Sequence, residues 1–364
     1  MLLVWCAFGV DLRCMQKNTG RTSFAEVAIS HRKTSNLFLE RVNALIDWDQ
    51  VGAVLDNYDR RGKGIAGNSA YPGLVLFRMC LLGIWYQLSD RGLEDRVNDS
   101  ISFNRFCGLS LADPVPDHSI VSRFRTMLTE EGGWDGLLRE INRQLDAKGL
   151  LVKTGTLVDA SITKSPRKPS GKPTYELDEP SVAGQPQQLK RVYRRGVDQE
   201  AAWTKKRGKY YYGYKKHHAT DMNGMVLSVE TTPANTHDSQ LFQTVVERTQ
   251  PQKGTRCYAD KGYVGAERDQ WLKEQNLKNG IHYKAQRNHP LNDRQKQANK
   301  LISKVRWVVE RTFGGQVRWF GAGIARYIGL AATHTQHVLE AMCYNLKRAP
   351  GLYMKKQADA LTMG

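Results

Sequence analysis

A chain of 364 residues, 40% hydrophobic and 25% charged, has the composition of a globular protein with room for two or three domains. Its 54 Lys and Arg against 36 Asp and Glu leave a net charge of +18, more than solubility requires, which points to a polyanionic partner, either nucleic acid or an acidic membrane surface. Six scattered cysteines without a C-x-x-C pair exclude a disulfide framework and a zinc module and read as reduced thiols in a cytosolic protein, and no run of about 18 uncharged apolar residues offers a membrane span.

The opening MLLVWCAFGV is apolar but lacks the basic start and small-residue cleavage site of a signal peptide. Met15 begins a more ordinary sequence, so residues 1–20 are expected to be disordered or a start-site extension. From residue 21 to 150 the pattern is helical. Phe38, Val42 and Leu45 recur at helical spacing, and Pro72 suits the first turn of a helix whose Leu74, Phe77, Leu81, Trp85 and Leu88 form one stripe. Leu93, Val97 and Ile101 mark a third segment, and Phe103 and Phe106 a short fourth. After the proline-broken SLADPVPD, Asp117 is placed to cap HSIVSRFRTML. Short helices ending in one that carries Arg123 and Arg125 suggest a helix-turn-helix region, with an ordinary helical bundle as the alternative.

Beyond residue 150 the texture changes. TGTLVDAS reads as a strand ending at Asp159. Residues 161–208 hold five prolines and eleven Lys and Arg against five Asp and Glu, and are expected to form a basic, flexible insertion. KYYYGYKKHHAT and MVLSVETT, joined by the turn DMNG, predict a hairpin over 209–232. A capped helix at HDSQLFQTVVERT follows, with Asp238 in the capping role, then a strand ending at Asp260, a helix at 264–276, a strand at 280–285 and a long helix at 291–313. This order predicts a mixed sheet flanked by helices, the ribonuclease H-like topology, behind an all-α amino-terminal domain. The expected boundaries are 21–150 for the helical domain, 151–348 for the catalytic domain and 349–364 for a tail.

In that topology Asp159, Asp260 and Glu310 meet at one sheet edge. Hard carboxylate oxygens suit a pair of magnesium ions roughly 3.5–4 Å apart, which can activate an attacking hydroxyl and stabilise a leaving oxygen. His217, His218 and His237 have no ligand spacing that closes a site, and Trp307 and Trp319 read as core residues or as platforms for an unpaired base.

With LVDAS, YYYGYKKHHATD, TTPANTHDSQLF, YADKGY and VRWVVERTFG all in place, residues 70–348 resemble the Asp-Asp-Glu transposases of bacterial insertion sequences, specifically the insertion-sequence-five family. The resemblance implies that Asp159, Asp260 and Glu310 are the catalytic and metal-binding triad, served by two Mg2+ ions with Mn2+ able to substitute. It also implies cleavage of element ends and joining of the 3′-hydroxyl to target DNA. Of the family's closing-helix pattern Tyr-x2-Arg-x3-Glu-x6-Lys/Arg, Arg306 and Glu310 fit, Ser303 replaces the Tyr, and Val317 takes the basic position with Arg318 one residue late. Arg306, Lys261 and Arg318 are therefore candidate phosphate contacts, Arg306 also being spaced for an i,i+4 bridge to Glu310, and Arg123 and Arg125 candidate base contacts. The expected partners are double-stranded DNA, as terminal repeats and target, and further copies of this chain in a dimer or higher oligomer, in the bacterial cytosol and at no membrane. A non-catalytic DNA-binding protein or a ribonuclease H-fold nuclease are the competing readings.

Overall fold

The computed structural model describes residues 36–61, 70–172, 174–177, 189–287 and 289–362. The expectation for residues 1–20 lies outside these. The chain divides into two units, Met1–Leu150 with Leu346–Gly364, and Leu151–Asn345.

In the first unit, α1 (Leu37–Leu45), α2 (Trp48–Asp56), α3 (Gly73–Trp85), α4 (Asp90–Asp99), α5 (Ile101–Cys107), α6 (His118–Glu130) and α7 (Gly133–Ala147) follow one another through short connections. Helix α3 is buried on almost every side, with Leu76, Phe77 and Leu81 fully inside. Its Arg78 is drawn in too: the guanidinium lies 4.3 Å over the Trp48 ring and donates to Phe106 O at 3.0 Å. Burial pushes that guanidinium down to about 10. Asp117 caps α6, its Oδ1 accepting from the N–H groups of Ser119 and Ile120. Two polar ties join α6 to α4, from His118 N to Glu94 and from Arg125 to Asp90.

The second unit is built on a six-stranded mixed sheet. Its strands are β1 (Gly155–Lys164), β4 (Ala202–Lys206), β5 (Lys209–Thr220), β6 (Val226–Pro233), β7 (Arg256–Ala259) and β8 (Lys278–Ile281), while β2 (Thr174–Leu177) and β3 (Leu189–Val192) form a separate ribbon. Strand β5 runs antiparallel to β1 on one side and to β6 on the other; β1, β7 and β8 are parallel. The spatial order β6-β5-β1-β7-β8 is the ribonuclease H-like arrangement. Side chains alternate across it. Val158 packs with Phe242, Val245, Val246 and Leu272 from α8 (Phe242–Glu247) and α9 (Ala266–Glu274), whereas Leu157 packs with Val308, Val309 and Phe313 of α10 (Asp293–Phe320). Asp159, two residues on from Leu157, therefore belongs to the α10 side.

The structure departs from the sequence expectation in several places: β8 runs over Lys278–Ile281 in place of the expected 280–285, and α10 runs on to Phe320, past the expected end at 313. Strand β1 does not end at Asp159 but continues through Ser161, Ile162 and Thr163, whose β-favouring side chains pair with Lys216, Lys215 and Tyr214. The 161–208 segment is not a flexible insertion throughout. Its last five residues but two form β4, and ahead of them Asp198 is fully buried, accepting hydrogen bonds from Tyr214 Oη at 2.6 Å and Ser165 Oγ at 3.2 Å. One buried carboxylate thus anchors a segment whose composition reads as solvated. The cap after β6 is His237, not Asp238, which instead ion-pairs with Lys215 at 2.8 Å. Finally, residues 349–362 are no tail: α11 (Leu330–Thr362) runs on through Pro350. A proline in a helix interior forfeits one hydrogen bond and usually ends the helix, which is why the sequence pattern stops there.

Candidate active site

The last parallel pairs of β1 and β7 are Thr156 with Cys257 and Leu157 with Tyr258. Continued by two residues, that register sets Asp159 beside Asp260, which stands just after the end of β7. Both carboxylates stand where β7 stops beside the continuing β1. Asp260 Oδ1 accepts from Gly262 N at 2.7 Å and so caps the turn at 261–263, which fixes its orientation. Asp159 Oδ1 accepts from Ala160 N at 2.8 Å. Its Oδ2 lies 3.1 Å from Arg306 Nη2 of α10.

Burial pushes the Asp159 carboxyl up to about 6, against the opposing pull of Arg306, and the charge of Asp260 adds to the rise. Asp159 is thus a largely desolvated carboxyl beside a second carboxylate, compensated by one guanidinium. Arg306 is itself only 11% exposed at its side chain, and its Nε is buried with no hydrogen-bond partner. A charged donor left over beside a carboxylate suits an incoming anionic oxygen. Tyr263 lies behind the pair, fully buried, its hydroxyl without a hydrogen-bond partner and held well above its ordinary range by burial and by Asp159, Asp238 and Asp260.

Glu310 is exposed on α10, one helical turn beyond Arg306 and on the same side of the helix. Arg306 is bonded to Asp159 and not to Glu310. Among the described residues no three His, Cys, Asp or Glu side chains are close enough to hold one metal ion. The structure thus brings Asp159, Asp260 and Arg306 together, with Glu310 on the adjoining face. Lys261 is exposed beside Asp260, and Arg318 is exposed in the last turn of α10. In the helical unit Arg123 is exposed, but Arg125 is committed to a two-pronged ion pair with Asp90, at 3.0 and 2.7 Å.

The neighbours of the pair take structural places, and His282 among them carried no sequence signal. His218 faces Asp159 across the β1–β5 ladder and stacks on Phe313 of α10 at 4.7 Å. His282 bonds Ser303 Oγ at 3.0 Å, which ties the serine down one helical turn before Arg306. Of the two tryptophans, Trp319 stacks on Tyr344 at 5.6 Å, while Trp307 is half-exposed beneath the Arg311 guanidinium.

Residues 151–346 match the family described as "Transposase DDE domain", and residues 27–127 match "Transposase domain (DUF772)". The chain is 39% identical over 229 residues, 62% of its length and 76% of the relative's, to the transposase for insertion sequence element IS1106 of Neisseria meningitidis serogroup B. Solved structures are similar only loosely. The piggyBac transposase synaptic complex with hairpin DNA aligns at TM-score 0.39 and 10% identity over 93% of this chain and 82% of that one. The Mos1 mariner paired end complex with Mn aligns at 0.20 and 13%, over 92% and 90%. The family rests on the sequence matches: this chain belongs to the DDE transposases of bacterial insertion sequences.

Proposed function

We propose that the protein binds the terminal inverted repeats of its own element, cleaves the element ends and joins the freed 3′-hydroxyl to target DNA. The observation that carries this reading is the half-buried Asp159 beside Asp260, with Arg306 bonded to it, in a chain of net charge +18. The residues present fit a hard divalent cation. Both carboxylates are oxygen donors, and a neighbouring negative charge together with burial already disfavours the ionised Asp159, a penalty that a cation relieves. Asp159 and Asp260 would hold Mg2+, or Mn2+ in its place, with Glu310 reaching in from α10. Bound there as a pair, such ions activate an attacking oxygen and stabilise a leaving oxygen in an in-line displacement.

The chain's own groups then have distinct tasks. The Gly262 N–H fixes the Asp260 carboxylate, and the Ala160 N–H and Arg306 fix that of Asp159. Arg306 offers its remaining exposed edge to a phosphate oxygen, with exposed Lys261 and Arg318 contacting the backbone further out. Below about pH 6 the proton stays on the Asp159 carboxyl and the site loses a ligand. Sequence recognition is assigned to residues 21–150, with Arg123 as the available base contact, and concerted work on two ends calls for at least two copies of the chain. Strand transfer separates this function from that of a simple nuclease. Incubated with Mg2+, a pre-cleaved element end and a supercoiled target plasmid, the protein should yield end-joined plasmid. Nicking of the target without joining would leave only the nuclease reading.

A further inference from the structure

Strands β4 and β5 form a hairpin whose tip is both strongly basic and strongly aromatic. Between Ala201 and Gly213 there are four basic residues (Lys205, Lys206, Arg207, Lys209), no acidic residue and four aromatic ones (Trp203, Tyr210, Tyr211, Tyr212). The turn places Arg207 at φ 51° and Gly208 at φ 78°, both left-handed, the two-residue geometry that keeps a hairpin tight and twisted. The ladder pairs Trp203 with Tyr212 and Lys205 with Tyr210. These four side chains therefore share one face. Exposure along it climbs from buried Tyr212 through Trp203 at 44% to Tyr210 at 67%. The inner end is anchored, since the Trp203 and Tyr212 rings lie 5.1 Å apart and the Tyr212 hydroxyl donates to Asp198 O. The outer end is offered to solvent, with the Lys205 ammonium 5.2 Å over the Tyr210 ring.

The hairpin belongs to the neighbourhood of the carboxylates. At its base Gly213 has φ 155°, and a Cβ there would come within 2.1 Å of Thr163 O, so the ladder passes closer to β1 than any other residue permits. At its tip Lys206 lies near enough for its charge to bear on Asp159. Neither packing nor solubility calls for two large exposed aromatic rings set among four uncompensated cations. Sequence-tolerant grip on unpaired nucleic acid calls for that combination, cations for the phosphates and flat rings for the bases.

We propose that the β4–β5 hairpin is a strand-engaging finger: Lys205, Lys206, Arg207 and Lys209 hold backbone phosphates of a DNA strand, and Tyr210 and Trp203 stack on unpaired bases next to the phosphate presented to Asp159 and Asp260. The assignment rests on the DNA-transposase reading and adds to it a preference for locally unpaired DNA. The test uses the full chain, a single-stranded oligothymidylate carrying one 2-aminopurine, and a random-sequence duplex, at one salt concentration. Tyr210→Ala and Trp203→Ala should each lower affinity for the single strand roughly tenfold and reduce the quenching of 2-aminopurine that stacking produces, while duplex affinity stays at the wild-type value. Tyr210→Phe should keep both the affinity and the quenching. Wild-type single-strand affinity and quenching in both alanine variants would overturn the finger while leaving duplex binding, and with it the transposase reading, in place. If the wild-type chain bound neither probe, both would fall together.

Discussion

Arg306 Nη2 lies 3.1 Å from Asp159 Oδ2, across 147 residues of chain, and joins the closing helix α10 to the central strand β1 at the acidic pair. The contact makes the charge state of Asp159 depend on the placement of α10. Burial raises the carboxyl to about 6, and Arg306 is the largest influence holding it down.

A pH dependence follows, with a definite sign. Because the folded Asp159 lies above its ordinary 3.8, its ionisation opposes folding fully above about pH 6, and that penalty fades as pH falls toward 3.8. A divalent cation needs the ionised form. The rise in Tm on adding Mn2+ should therefore be full above about pH 7 and lost as pH falls through about 6. In Arg306→Gln the midpoint of that loss should move to higher pH, since the influence that lowers Asp159 has been removed. A midpoint that moves down, or a Tm response independent of pH, would mean that Asp159 is not a ligand.

Two residues along β5 from His218, the ladder partner of Asp159, a second charge pair is structural. Lys216 and Glu340 are both buried, their Nζ and Oε2 2.9 Å apart, and Lys216 also donates to Ala322 O. Removing one partner of a buried pair leaves an unpaired charge, at a cost of about 3–5 kcal/mol. Glu340→Ala should accordingly lower the stability of residues 151–345 by that order in chemical denaturation. Adding Lys216→Met should recover a large part of the loss. If the double variant is no more stable than Glu340→Ala, the cost lies in packing and not in charge.

In the helical unit, two arginines two residues apart should behave differently. Arg125 is held by Asp90, and Arg123 is exposed. Arg123→Ala is expected to weaken binding to terminal-repeat DNA with Tm unchanged. Arg125→Ala should lower Tm, with Asp90→Ala lowering it by a similar amount. Equal losses of DNA affinity without loss of stability in both variants would put Arg125 at the DNA as well.

The placing of Asp159 beside Asp260 and the helix that carries Arg306 were legible in the sequence because short stretches such as YADKGY and VRWVVERTFG keep chemistry and local structure together. The hairpin over 209–232 was legible too, from period-two alternation broken by DMNG. What stayed hidden depends on partners far along the chain. Asp198 sits in a run of arginines, prolines and polar residues, and only the distant Tyr212, Tyr214 and Ser165 make it an anchor. Arg306 is spaced for a bridge to Glu310 four residues on, yet Asp159 takes it. The continuation of α11 through Pro350 runs against local propensity, and no pattern in its own residues announces it.

On the proposed function, Asp159, Asp260 and Glu310 together perform cleavage at the element ends. It is tested most directly with a plasmid carrying those ends, incubated with Mg2+ and with Asp159→Asn, Asp260→Asn or Glu310→Gln, while end binding is followed in parallel by gel shift. Each variant should bind the ends as the wild type does and cleave them only at background level. Wild-type cleavage by any one of the three would remove that residue from the triad and contradict the account.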